Sequence, residues 1–176
     1  MDFLKPTTLK VLGFFFAHPT ADYHEREVLR HTGISKGSAN KILRELAALS
    51  ILGRAEKGRM VFYRLNSGDP FVRQMKVLWN VWALRPFVDG LKATARKILL
   101  FGSCAEGTDV PESDIDVLIL ADDREAVKRA VSAFNRGSER PLAPIIVDFE
   151  DYARIRREDR PLFERIDRGL ALWETA

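Results

Sequence analysis

Asp114 and Asp116 stand one residue apart in the run Asp-Ile-Asp-Val-Leu-Ile-Leu, residues 114–120. On a strand, residues i and i+2 share a face. Two carboxylates held side by side repel each other, and a hard divalent cation with oxygen ligands cancels that repulsion. Upstream, the apolar run Lys-Ile-Leu-Leu-Phe ends in Gly102-Ser103. A glycine admits a close approach of backbone to ligand. Ser103 brings a hydroxyl and an N–H to an expected helix start, which makes a cradle for phosphate. Downstream, Asp148 ends the apolar part of a third run, Ala-Pro-Ile-Ile-Val-Asp-Phe-Glu. If that run pairs beside the second, Asp148 joins the cluster. Three carboxylates facing a phosphate loop would hold Mg2+ on a nucleoside triphosphate. By itself, Asp-x-Asp reads equally as an acidic loop capping a strand, as Asp122 and Asp123 do. Its weight comes from Gly102-Ser103 and Asp148 together.

These residues need elements to hold them. The three apolar runs read as strands. Residues 124–134, with Ala126, Val127, Ala130 and Val131 inward, read as a helix between the second and third. After the polar stretch 151–160 come a helix over 161–168 and a short apolar tail, Leu-Ala-Leu-Trp. Strands alternating with helices predict an α/β domain. Cys104 sits by the loop with no nucleophilic partner in view and reads as a small packing residue.

Gly102-Ser103, ten residues, then Asp114-Ile115-Asp116, with Asp148 at a later strand end, resembles the signature of the DNA polymerase beta superfamily of nucleotidyltransferases. The compact form resembles the minimal nucleotidyltransferases, found alone or as antitoxins paired with HEPN-type toxins. The resemblance spans residues 96–173. It implies a small mixed sheet flanked by helices. It also implies transfer of a nucleoside monophosphate from an NTP, with ATP expected, to an acceptor hydroxyl, releasing pyrophosphate. Gly102 and Ser103 would hold the β- and γ-phosphates, and Asp114 and Asp116 would bind Mg2+ bridging them. Asp148 would share a second metal and help deprotonate the acceptor. A HEPN-type toxin or another protein is a candidate acceptor, alongside RNA and small-molecule hydroxyls. Many minimal members carry a basic residue soon after the Gly-Ser; here the segment is Cys104-Ala105-Glu106-Gly107.

The front of the chain follows a different grammar. Leu9, Val11, Leu12, Phe15 and Phe16 recur at helical spacing after Pro6. Residues 23–31 read as a second short helix with Val28 and Leu29 inward. Gly33 suits a tight turn, and Ser35 suits the N-cap of a third helix. Ala39, Ile42, Leu43 and Leu46 form its apolar stripe, leaving Lys36, Ser38, Asn40, Lys41 and Arg44 largely outside. A Lys57-Gly58 turn then precedes the alternating Val61, Tyr63 and Leu65, predicting a β-hairpin with Arg54, Lys57 and Arg59 at its tip. Helix-turn-helix followed by a basic hairpin resembles the winged helix-turn-helix regulators over residues 4–66. The resemblance implies double-stranded DNA as partner, with the third helix in the major groove and the hairpin on phosphates. The competing reading is a protein-interaction module with a solvated basic face. The expected organisation is a DNA-binding domain over 1–66, a helical link over 67–95 and a nucleotidyltransferase domain over 96–176. In the link, Val72, Met75, Leu78, Trp79 and Trp82 form one face expected to pack inward, and Pro86 is expected to break the helix.

Composition fits this organisation. Of 176 residues, 46% are hydrophobic and 30% charged, as in ordinary globular proteins. The net charge of +3 is uneven: residues 1–66 hold 11 Lys and Arg against 6 Asp and Glu, and the remainder holds 17 against 19. A basic front and a slightly acidic back point to two domains with different partners. One cysteine excludes an internal disulfide, and the three histidines lack metal-ligand spacing. No apolar run is long enough for a bilayer, and the first residues lack a basic head and cleavage site. The expectation is a cytoplasmic protein with no membrane partner; a homodimer stays open. A second functional reading is a DNA-binding regulator, or an antitoxin-like protein, whose back domain senses nucleotide or binds a partner without turnover.

Overall fold

A computed structural model describes residues 5–175. The chain forms two compact units, Met1–Arg73 and Gln74–Ala176. The first contains α1 (Pro6–Ala17), β1 (Tyr23–His24), α2 (Glu25–Thr32), α3 (Lys36–Ala48), β2 (Leu52–Lys57) and β3 (Met60–Leu65). The strands form an antiparallel sheet in the order β1-β3-β2. Val11, Leu12, Phe15, Val28, Leu43, Leu46 and Tyr63 are buried in it, which is the periodic apolar set of the sequence. Ser35 caps α3 by accepting from the Ser38 N–H, and Gly33 takes the left-handed conformation that ends α2. The expected second helix is shorter at its start. Tyr23 and His24 pair with β3, and His24 caps α2 in a reciprocal arrangement with Glu27.

The second unit holds most of α4 (Pro70–Leu91), then β4 (Ala95–Leu100), α5 (Ser103–Glu106), β5 (Ile115–Ala121), α6 (Arg124–Gly137), β6 (Leu142–Val147), α7 (Phe149–Glu158), α8 (Arg160–Asp167) and β7 (Leu170–Glu174). The four strands form one mixed sheet in the order β6-β5-β4-β7, with β5 and β6 parallel and the other pairs antiparallel. Strand alternation builds two cores. Ile98, Leu100, Val117 and Ile119 pack with Leu84, Phe87, Val88, Leu91, Val127 and Val131 on one face. Leu99, Phe101, Leu118, Leu120 and Val147 pack with Ile166 and the partly buried Tyr152, Ile155 and Leu162 on the other. The sheet is therefore covered by helices on both sides, as an α/β layer architecture requires.

Three expectations about elements are corrected. Pro86 lies inside α4, which runs on to Leu91. The buried contacts of Leu84, Phe87, Val88 and Leu91 hold the helix across the missing hydrogen bond. Leu78 and Trp82, expected inward, are 67% and 52% exposed, and the polar Lys76 and Asn80 take buried positions instead. The third strand ends at Val147, so Asp148 is the N-cap of α7 rather than a strand residue, and the polar stretch beyond it is helical.

Candidate active site

Gly102 ends the extended β4 segment with φ +68° and ψ −155°, a conformation that disfavours any residue with a side chain. A Cβ there would lie 2.3 Å from Asp116 Oδ2, so the glycine backbone is seated directly against that carboxylate. The Phe101 N–H donates to the Asp116 carbonyl at 3.0 Å, which fixes the two strand ends together. Ser103 opens α5, and the N–H groups of Ala105 and Glu106 turn back to the Gly102 carbonyl. Asp114 lies one residue before β5 and is exposed; Asp116 is half-buried on the face that carries Leu118 and Leu120. The two carboxylates are close enough to feel each other. Burial, with Asp114 adding to it, raises the Asp116 carboxyl above its usual range, although Arg165 pulls the other way. Arg165, on α8, places Nη2 3.6 Å from Asp116 Oδ2 and its guanidinium over the Phe101 ring at 5.6 Å.

Asp148 does not join this pair. The parallel register sets Asp116 opposite Ala143 and Leu120 opposite Val147, so Asp148 lies at the far end of the sheet. Five residue steps separate it from Ala143, roughly 16 Å at ~3.3 Å per step. Its carboxylate accepts from the Asp151 N–H at 2.8 Å and pairs with Arg124 at 2.5 Å. The cap bond, with Arg124, holds the carboxyl below its usual range. Arg124 also binds Asp151. Beside Asp116 on β6 the residues are the apolar Ala143 and, two along, Ile145. Among the described residues no three His, Cys, Asp or Glu side chains converge on one point. The donor set therefore fits one Mg2+, which commonly takes one or two carboxylates and completes its shell with phosphate and water. It does not fit two ions sharing a third carboxylate.

The loop between Gly107 and Asp114 is held by a buried polar cluster that the sequence pattern did not flag. Asp109 is 1% exposed and Lys76 2%. Lys76 Nζ lies 3.3 Å from Asp109 Oδ2 and also donates to the Asp109 carbonyl. Asn80 Nδ2 donates to Asp109 Oδ1 and to the Cys104 carbonyl, each at 3.0 Å. Arg140 Nη1 donates to Asp109 Oδ2 at 2.8 Å, its Nε to the Ser113 carbonyl and its Nη2 to Cys104 Sγ. Burial outweighs the Asp109 charge and lowers the Lys76 ammonium below its ordinary range. Burial likewise pushes the Cys104 thiol up to about 11. The cluster ties α4, the Gly-Ser turn and the segment before β6 to the loop that delivers Asp114. One signal was present in the sequence: Lys76 and Asn80 interrupt, at spacing four, an otherwise apolar buried stripe that runs from Val72 through Leu84 and Val88.

Residues 84–168 match the family model of the nucleotidyltransferase domain. The match takes in Gly102, Ser103, Asp114, Asp116 and Arg165, and leaves out Lys76, Asn80 and the whole first unit. Among solved structures, a provisionally assigned nucleotidyltransferase from Sulfolobus solfataricus is similar at 19% identity. That likeness covers 58% of this chain and 87% of the other, with a TM-score of 0.39, too low to add to the domain match. No curated protein matches the chain. No described helix is long and apolar enough to cross a membrane.

In the first unit the residues expected at DNA divide. Lys36, Arg44 and Arg59 are exposed and form no ion pair among the described residues. Lys41 is exposed but 3.9 Å from Glu45; Arg54 pairs with Glu56 and Lys57 with Asp22. Two residues leave the expected outer face. Asn40 is turned to α2, donating to Glu25 at 2.8 Å, and Ser38 is occupied by the Ser35 cap.

Proposed function

We propose that the second unit transfers a nucleoside monophosphate from an NTP, with ATP the expected donor, to an acceptor hydroxyl. The observation that carries this reading is Asp116 packed against Gly102, with Asp114 two residues before it, inside the matched nucleotidyltransferase domain. Mg2+ bound there would neutralise charge on the triphosphate and favour departure of pyrophosphate. The chain's own residues do the rest. Asp114 and Asp116 supply oxygen ligands. The bare backbone at Gly102 lets phosphate approach, and the Ser103 N–H and hydroxyl donate to its oxygens. The Asp109 cluster fixes the loop that aims Asp114. Asp148 takes no part, and acceptor activation falls to the acceptor or to a partner. Incubation with Mg2+, labelled ATP and cell lysate tests the reading: label transferred to a macromolecule supports it, and none transferred counts against it.

The isolation of Asp148 favours a second reading, in which the same pair binds Mg2+–nucleotide as a sensor without turnover. Nucleotide binding without transfer to any lysate component would select it. For the first unit we propose a winged helix that binds duplex DNA. Its support is the order of three helices and an antiparallel hairpin, with Lys36 and Arg44 on α3 and Arg59 at the hairpin.

A further inference from the structure

We propose that Arg165 is the phosphate-binding side chain of this site, supplying from α8 the positive charge that the segment after Gly102-Ser103 lacks. The inference rests on the reading of the second unit as a Mg2+–nucleotide site. Cys104, Ala105 and Glu106 bring no cation to the loop. Among the described residues, Arg165 alone forms an ion pair with either carboxylate.

Its placement is built in. A Cβ on Gly169 would stand 2.6 Å from the Leu100 carbonyl oxygen and 3.1 Å from Phe101 Cβ. The glycine thus lets the end of α8 close onto the end of β4. Ile166, 1% exposed, anchors the helix in the core beneath, and the Phe101 ring lies against the guanidinium. The side chain is held from behind yet remains 56% exposed toward solvent.

Its contact with Asp116 is long. At 3.6 Å it exceeds hydrogen-bond range, so the guanidinium's five N–H donors are not committed to that carboxylate. A planar fork with free donors suits two phosphate oxygens at once. At rest, Arg165 offsets the charge of Asp116. Once a divalent cation occupies the carboxylates, that attraction is cancelled and the guanidinium turns to the phosphates. The same cation therefore prepares both halves of the site.

This arrangement makes opposite demands on two ligands, which a merely structural arginine would not. Calorimetry on the full chain with Mn2+ alone and with Mg2+–tripolyphosphate separates them. Arg165→Gln should weaken tripolyphosphate binding at least tenfold while Mn2+ binding is kept or tightened, because the competing cation is gone. Arg165→Lys should fall between Gln and wild type. Retained Mn2+ binding also reports that the variant is folded. A loss of tripolyphosphate affinity under tenfold, or Mn2+ and tripolyphosphate affinity falling together, overturns the role of Arg165 and leaves the site itself standing. If the wild-type chain binds neither ligand, the nucleotide-site reading falls and this inference with it.

Discussion

A carboxylate taken partly out of water beside another is costly to keep ionised, and Asp116 bears that cost. Its carboxyl is held above the usual range, so its ionised form disfavours the fold at neutral pH. Asp116→Asn should therefore melt no lower than wild type in metal-free buffer. The gap should close in acid, where wild-type Asp116 takes up its proton as pH falls through the raised value. The same variant should lose Mn2+ binding and reduce transfer at least ~10²-fold. Asp148 has the opposite character. Its carboxyl sits below the usual range, so its contribution is present above the ordinary carboxylate range and fades as pH falls through the lowered value. Asp148→Ala should lower the melting temperature by a few degrees and leave metal binding untouched; a loss of Mn2+ binding would return it to the site. Cys104 offers a third check. With its thiol pushed to about 11, it should resist iodoacetamide at neutral pH until the chain unfolds. Because an unfolded thiol ionises near ~8.5, wild type should lose up to about 3 kcal/mol relative to Cys104→Ala as pH climbs through that window.

Elements decide which of these residues can meet. Gly102→Ala would force a Cβ into Asp116 at a backbone angle that side chains avoid, so it should lower both stability and Mn2+ affinity. Gly169→Ala should press α8 away from β4 and cost about 1–3 kcal/mol, with triphosphate affinity falling more than metal affinity. α3, α6 and β3 were legible because their apolar residues repeat at a clear period, and β4, β5 and β6 because each is a short apolar run. The Gly-Ser turn and the Asp pair were legible because they are local. The position of Asp148 was not: it follows the apolar run directly, and only the register of β6 against β5 shows that it lies at the end away from Asp116. A hint lay in Asp148 and Asp151, whose spacing suits a helix cap as well as a strand end. In α4 both faces carry apolar residues, so periodicity pointed to Leu78 and Trp82 as inward, whereas Leu84 and Val88 are the ones buried.

At the scale of the molecule, the two proposed activities lie in separate units, and they should separate by mutation. Lys36→Ala, Arg44→Ala and Arg59→Ala together should weaken duplex binding by the full chain. They should also flatten its dependence on log salt by about 3, since each phosphate that a cation neutralises adds ~0.9 to that slope. Transfer by the second unit should not change. A triple variant that binds duplex like wild type would identify the basic front as a protein-docking surface. Most of the order of helices and strands was readable from the sequence, but β1 and α7 were not: β1 is two residues long, and α7 has a polar surface and buries no residue. The polar pairing across elements was not, since the Lys57–Asp22 ion pair and the Asn40–Glu25 hydrogen bond join residues distant in the chain.

The buried cluster around Asp109 constrains how such a chain can drift. Replacing Asp109 alone leaves the buried Lys76 without its carboxylate and the partly exposed Arg140 without one partner, a loss on the order of 3–5 kcal/mol, whereas exchanging the whole group for apolar residues of similar volume can be nearly neutral. No single step between those states is mild. Lys76, Asn80, Asp109 and Arg140 are thus expected to be inherited as one unit or abandoned as one. A descendant lineage that crosses from one state to the other must pass through a stabilising change elsewhere. The loop that aims Asp114 is in this sense locked through Asp109, whereas Glu112, exposed on the same loop three residues on, takes no part in the cluster.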